Sequence, residues 1–324
     1  MKRPTPSPFQ MLFGSLTAMP VRRVFALVLI GILAASCTGS HKKTPPKPVV
    51  FVRDWGKGDP TIKVVGIGAG GVGSSEDPLP TGTSVVSFQL MDASGNPITG
   101  GQPYVHTAKA DWVLPLGPFT ATWTPFTGYA KTGDTSPKSS ATGTYSAQIQ
   151  IANPGPWYVV VTSPTGLKGG TAKIPVVASD SAVASVGSKA VSVPTPVARR
   201  KADLAKVCTR QPPDPMHSIS LDAALKNGKP TVAVFSSPGK SESKLGSQVT
   251  DEVLLVDQKY GDKANFVHVE EFPPGSSSPS PAFKAWGLTS EPWVIVIDGK
   301  GIIRGRFAGA ATAPMIEKSL KPLL

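Results

Sequence analysis

Thr231-Val-Ala-Val-Phe-Ser-Ser-Pro-Gly-Lys-Ser-Glu-Ser-Lys-Leu-Gly246 reads as a short buried strand, a turn and the opening of a helix. The uninterrupted apolar run Thr231–Phe235 is strand-length, and Pro238-Gly239 ends it. Beyond the turn, Leu245, Val249, Val253, Val256 and Tyr260 recur at steps of four and three, which places them on one helical face. Downstream, Asn265–Val269 reads as a second strand. A Pro/Ser-rich loop, Pro273 to Pro281, leads to a short helix around Phe283–Trp286. Trp293–Ile297 and Ile302–Phe307 flank the turn Asp298-Gly-Lys-Gly301 and predict a hairpin. A last helix from about Ala313 sets Ile316, Leu320 and Leu323 on one face. The predicted order over residues 207–324 is β-α-β-α-β-β-α, an α/β region.

Upstream the periodicity changes. Tyr145, Ala147, Ile149 and Ile151 alternate with Ser146, Gln148 and Gln150, as on a half-buried strand. Other candidate strands are Val49–Arg53, Ile62–Ile67, Thr83–Met91, Tyr104–Ala108, Thr120–Trp123, Trp157–Thr162 and Thr171–Val177. Short strands at this spacing predict an all-β antiparallel sandwich over residues 48–178. Trp112, Phe119, Trp123, Phe126 and Tyr129 are expected in its core. Residues 179–206, rich in Ala, Ser, Val and Pro without a sustained period, read as a linker.

The N-terminal segment reads as an export signal. Arg22 and Arg23 precede an apolar run, Val24 to Ala35, too short for the ~20 residues of a bilayer-spanning helix. Leu33-Ala-Ala-Ser-Cys37 resembles a bacterial lipobox, in which Cys37 carries the lipid and becomes the mature N-terminus, with Ala34 where that box prefers Leu. A start at Met19 gives a compact signal. Residues 1–37 are then a signal peptide, and residues 38–47, polar and rich in Pro and Lys, form a tether. The expected location is extracytoplasmic, lipid-anchored to a bacterial membrane.

Of the formal charge of +12, Lys2, Arg3, Arg22 and Arg23 lie before Cys37. The remaining basic residues form no run interleaved with aromatics, which argues against a nucleic-acid partner. The chain has two cysteines, Cys37 and Cys208, so a lipidated Cys37 leaves Cys208 without a disulfide partner in the chain.

Two resemblances go further. Gly143-Thr-Tyr145 followed by Pro154-Gly-Pro-Trp-Tyr158 resembles the hairpin of bacterial immunoglobulin-like sandwiches. The α/β order resembles a thioredoxin fold, with Trp286-Gly-Leu-Thr-Ser-Glu-Pro292-Trp293 placing Pro292 before a strand, where that family has its cis-proline beside the active site. The resemblance implies two thiols near the start of the long helix. The window Ser237, Pro238, Lys240, Ser241, Gly246 contains none, and Ser241 and Gly246 fall where a cysteine pair spaced by four residues would stand. Dithiol redox chemistry is therefore not expected, and Ser241 is expected to cap the helix. Glu291, Pro292 and Trp293 would then border a groove for an extended peptide or protein partner.

The leading expectation is thus a membrane-anchored binding or scaffolding protein without a cofactor. A rival is single-thiol chemistry at Cys208, beside Lys206 and Arg210. Another is copper binding or delivery by Cys208, Met216, His217 and His268, which are soft ligand types. Met91 and His106 are weaker candidates. No motif resembles a phosphate loop, a zinc signature or a Ser-His-Asp constellation.

Overall fold

The computed structural model describes residues 51–55, 59, 61–69, 71–128, 135, 140–241 and 245–324. The signal, Cys37, the tether and Tyr129 lie outside the described residues.

The chain is mainly β. Among the described residues, nine strands build the first region: β1 (Lys63–Val65), β2 (Leu79–Pro80), β3 (Gly82–Met91), β4 (Pro97–Ile98), β5 (Tyr104–Ala108), β6 (Leu116–Pro125), β7 (Gly143–Ile151), β8 (Gly155–Ser163) and β9 (Gly166–Ser179). They form one curled sheet in the order β1-β3-β7-β6-β5-β8-β9-β2, with β4 on the flank of β3. The curl occurs at β6. Its first half, through Thr120, pairs with β5, whereas Ala121–Pro125 pair with β7. The two halves of the sheet then bring their apolar residues together. Val86, Phe88, Leu90, Tyr145, Ile149 and Ile151 pack in one cluster with Val105, Trp157, Val159, Val161 and Val176. Each such side chain contributes about 1.5–3 kcal/mol when fully buried.

Three expectations change in this region. Val49–Arg53 is not a strand where it is described. Val52–Trp55 forms a 3-10 turn, held by the Asp54 carboxylate accepting the Phe51 N–H at 2.9 Å. Of the aromatic stretch, Trp123 does pack on Tyr145, with ring centroids 5.0 Å apart. Trp112, however, is 67% exposed, in a loop ahead of β6 that turns it away from the sheet. Phe126 packs against the core of the second region instead.

The second region contains α1 (Leu221–Ala224), β10 (Thr231–Ser236), α2 (Leu245–Tyr260), β11 (Asn265–Glu270), α3 (Pro281–Ala285), β12 (Trp293–Ile297), β13 (Ile303–Ala308) and α4 (Ala313–Leu320). Its four-stranded sheet has the order β11-β10-β12-β13. β10 and β11 are parallel, and the other pairs are antiparallel. Strand residues alternate between two cores. Val232, Val234, Val294 and Val296 pack with residues of α2 and α4. Ala233, Phe235, Ile295 and Ile297 pack with Leu221, Phe283 and Trp286 on the opposite side. Both faces are covered, which explains why these strands read as unbroken apolar runs rather than as alternations.

Residues 179–206 are not a free linker. Gly187 and Ala190 donate backbone N–H groups to Ile303 and Gly301, and Ile303 donates to Ser188, so the segment runs along the β13 edge. Ala182 and Ala190 are buried, and Val183 and Val193 pack on the shared core. Sparse apolar residues on an irregular backbone suffice for this, and they leave no period in the sequence. The residues 48–324 accordingly form one compact unit. Polar contacts also join its two regions. Arg306 on β13 meets Asp77 at 3.4 Å, both buried. Glu252 on α2 accepts the Thr127 and Gly128 N–H groups at 2.6 and 2.9 Å, and the Ala313 N–H that opens α4 at 2.7 Å.

Candidate functional site

The window at the start of α2 is closed by the protein itself. Ser237 and Pro238 are buried, as are Pro292 and Trp293. The Glu291–Pro292 peptide bond is cis. The Ser237 N–H donates to Glu291 Oε2 at 2.9 Å, and Ser237 Oγ accepts the Phe272 N–H at 2.7 Å. Ser247 donates its hydroxyl to Pro238 O at 2.9 Å, and Lys240 reaches across to Pro273 O at 2.8 Å. A Cβ at Gly246 would meet the Glu291 carboxylate, which would have to move from its bond to Ser237 N. The Ser241 N–H donates to Ser237 O at 2.8 Å. The helix cap expected at Ser241 adjoins residues 242–244, which lie outside the described residues. Trp293 is core rather than groove lining. It is 1% exposed, with the Arg306 guanidinium over its ring at 4.5 Å.

The chemistry-bearing residues gather elsewhere, where the lead-in 208–217 lies against β11. One backbone bond and the bonds of Arg210 help set that lead-in. The His268 N–H donates to Met216 O at 2.8 Å, stitching it to the free edge of β11. Arg210 donates through Nε and Nη2 to Asp251 Oδ1 on α2 at 3.0 and 2.8 Å, and through Nη1 to Pro212 O at 2.7 Å. Cys208, His217 and His268 are thereby brought together, and Asp214 joins them. One ligand-type atom from each lies within 4.8 Å of the others, and all four residues are buried. Asp214 is the hub. Its Oδ2 accepts from the Cys208 thiol at 3.0 Å and from His268 Nδ1 at 2.8 Å, while its Oδ1 accepts the Met216 N–H at 3.0 Å. His217 Nε2 stands 3.9 Å from Asp214 Oδ1, beyond hydrogen-bond reach, and has no partner among the described residues.

Met216, expected as a thioether ligand, is buried next to the lead-in's backbone bond to β11. Its side chain packs with Val232, Val249 and Val253 in the α2-side core. Met91 and His106 belong to the curled sheet, far along the chain from the cluster. Asp214 was not singled out from sequence, because Pro212-Pro213-Asp214-Pro215 reads as an ordinary polar turn.

Electrostatics separate the four groups. Burial pushes the Cys208 thiol up, so its carboxylate neighbour sees a neutral S–H donor. Burial would raise Asp214, but His268 beside it holds it well below the usual carboxylate range. Burial would lower His268, yet Asp214 and then Glu270 raise it well above an ordinary imidazole. Burial and the charge of His268 push His217 down to about 4, which keeps it neutral with a free ring nitrogen.

One arrangement was not anticipated. Ser236 Oγ lies 3.0 Å from His268 Nε2, whose Nδ1 bonds Asp214, so a Ser-His-Asp line exists. Ser236 is 0% exposed and shares its hydroxyl with Thr250 at 2.7 Å, so no substrate carbonyl can reach it. The line orients His268 and supplies no nucleophile. Beside the cluster is a cavity of about 370 Å³, bordered by His217 and His268 together with Pro194, Val207, Val269 and Pro281.

No protein-family model matches the chain, and no curated protein matches it in sequence. Among solved structures, the Lin-41 filamin domain is 14% identical, with a TM-score of 0.21, over 37% of this chain and 93% of that one. The ZirS C-terminal domain is 10% identical, with a TM-score of 0.19, over 51% of this chain and 96% of its own. Likenesses this low carry no argument about the chain's activity, and its own geometry is left to bear that weight.

Proposed function

We propose that the chain is a lipid-anchored extracytoplasmic protein of the bacterial envelope, whose second region is a thioredoxin-like domain used for binding and not for dithiol chemistry. The observation that carries this reading is the window at the start of α2. It has serines and a glycine where thiols would act, and the Glu291 carboxylate already occupies it. The immunoglobulin-like reading of the curled sheet and the thioredoxin-like reading of the α/β region draw support from strand order and helix placement. Single-thiol chemistry at Cys208 is disfavoured. The sulfur is 1% exposed, and burial keeps it protonated, whereas the reactive form of cysteine is an accessible thiolate. An insulin-reduction assay with dithiothreitol present tests the reading. The expected result is no acceleration over dithiothreitol alone. Turnover that exceeds that background and disappears in Cys208→Ser would replace it with the single-thiol mechanism. The anchor has its own check, in which mass spectrometry of the native protein is expected to find a diacylglyceryl group on Cys37.

A further inference from the structure

We propose that Cys208, Asp214, His217 and His268 form a binding site for one divalent metal ion of the zinc class. The argument begins with the donors. One sulfur, one carboxylate oxygen and two imidazole nitrogens are the types a tetrahedral zinc site uses, at bond lengths of about 2.0–2.3 Å. Those lengths put neighbouring ligand atoms roughly 3.3–3.8 Å apart in a tetrahedron. The separations here lie on either side of that range: 2.8 Å from His268 Nδ1 to Asp214 Oδ2, 3.0 Å from Cys208 Sγ to the same oxygen and 3.9 Å from Sγ to His268 Nδ1, with one donor atom from each of the four residues within 4.8 Å of the rest. Shifts on the order of 1 Å convert the cluster into a coordination sphere.

Three independent features support occupancy. The first is the orphaned nitrogen of His217, which is 2% exposed and unpartnered. A buried polar atom without a partner costs about 1–3 kcal/mol, and a metal bond would satisfy it. The second is the support behind the ligands. With Nδ1 on the metal, His268 keeps its Nε2–H for Ser236 Oγ, which Thr250 holds in turn. Asp214 is steadied by the Met216 N–H, and the lead-in by Arg210 on Asp251. Such outer contacts orient ligands in metal sites. The third is access, since His217 and His268 border the cavity.

Charge and softness select the ion. A thiolate and a carboxylate neutralise a dication, which suits a buried site. A carboxylate in the set favours a borderline ion over Cu(I).

The full-length chain, held in detergent with its thiol reduced, should be titrated with Co(II) as a spectroscopic stand-in for zinc. The expected result is a single equivalent bound, with a thiolate-to-cobalt charge-transfer band and intense tetrahedral visible bands that zinc displaces. Cys208→Ser should abolish the charge-transfer band. His217→Gln breaks no existing hydrogen bond, so it should fold as the parent does while losing about 100-fold or more in zinc affinity. The proposal is overturned if the parent binds neither ion stoichiometrically, if the charge-transfer band survives in Cys208→Ser, or if His217→Gln binds zinc as tightly as the parent. Tighter binding of Cu(I) than of zinc through the same residues would overturn the choice of ion.

Discussion

The two regions of this molecule bury polar groups in different ways. Among the described residues of the curled sheet, the buried polar side chains are hydroxyls: Ser84, Ser87, Thr107, Thr144, Thr162, Ser163 and Thr171. The α/β region buries Arg210, Asp214, His217, Asp251, Glu252, His268, Glu270, Glu271 and Arg306. Asp77, a buried carboxyl in the described loops of the first region, takes its partner Arg306 from the second. Hydroxyls can be buried cheaply if they find a backbone carbonyl, whereas an ionised group out of water is tolerated only when paired. The curled sheet is therefore a framework whose buried polar side chains are mostly neutral hydroxyls, with His106 Nδ1 on β5 an exception, unpartnered among the described residues. The α/β region maintains charges in its interior, and such groups persist where they hold a structure in register or a site in readiness.

The sharpest test of that contrast is the pair that pins the lead-in. Arg210 and Asp251 are each 1% exposed, at 2.8 Å. Asp251→Ala leaves a guanidinium in the core with its backbone acceptor at Pro212 and without its carboxylate. Breaking a buried pair from one side costs about 3–5 kcal/mol, because the remaining charge is uncompensated. Urea unfolding should show that loss, together with exposure of Cys208 to thiol reagents as the lead-in loosens from β11. An Asp251→Ala protein as stable as the parent would mean that the buried charges are not integral to this region.

Legibility in the sequence follows the same division. The strands and helices of the second region could be read because their apolar residues are consecutive or helically spaced, and the predicted strand Trp293–Ile297 coincides with β12. In the curled sheet, β6 was read only at its centre, Thr120–Trp123. Its first half, Leu116 to Phe119, includes Pro118 and faces solvent at several positions, so no alternation marks it. Of the cluster, Cys208, His217 and His268 stood out by residue type. What joins them is tertiary. Asp214 sits among prolines that mask its role, and the backbone bond from His268 to Met216 that docks the lead-in on β11 leaves no trace in residue type. The segment 179–206 was misread as a linker because edge pairing with β13 needs only backbone groups, which every residue carries.

A smaller effect is expected at Glu271, beside the closed window. Burial first, and then the neighbouring Glu291, push its carboxyl up to about 7 from an ordinary 4.5. Between those values the folded state keeps the proton longer than the unfolded chain does, so stability falls as pH rises from about 4.5 to about 7. The fall is on the order of 2 kcal/mol once partial solvent contact is allowed for. Glu271→Gln removes the titrating group and leaves the backbone bonds of Glu271 to Ser236 and Ser280 in place. Urea midpoints measured across that window should flatten in the variant. An unchanged slope would assign the titration to another group, and the contrast between the regions would lose one of its charged members.

The smallest expected effect is the control from the framework side. Thr144 on β7 is 0% exposed, and its hydroxyl donates at 3.1 Å to Phe88 O and Tyr145 O. Thr144→Val keeps the shape and removes the donor. The carbonyls that lose it belong to strands already paired along the β3–β7 ladder, so no charge is stranded. The cost should be about 1 kcal/mol, that of one neutral hydrogen bond. No pH dependence should accompany it, because nothing that titrates faces the site among its hydrogen-bond partners. A loss as large as that of Asp251→Ala would mean that the hydroxyls of the curled sheet hold its curvature and do more than complete its hydrogen bonding.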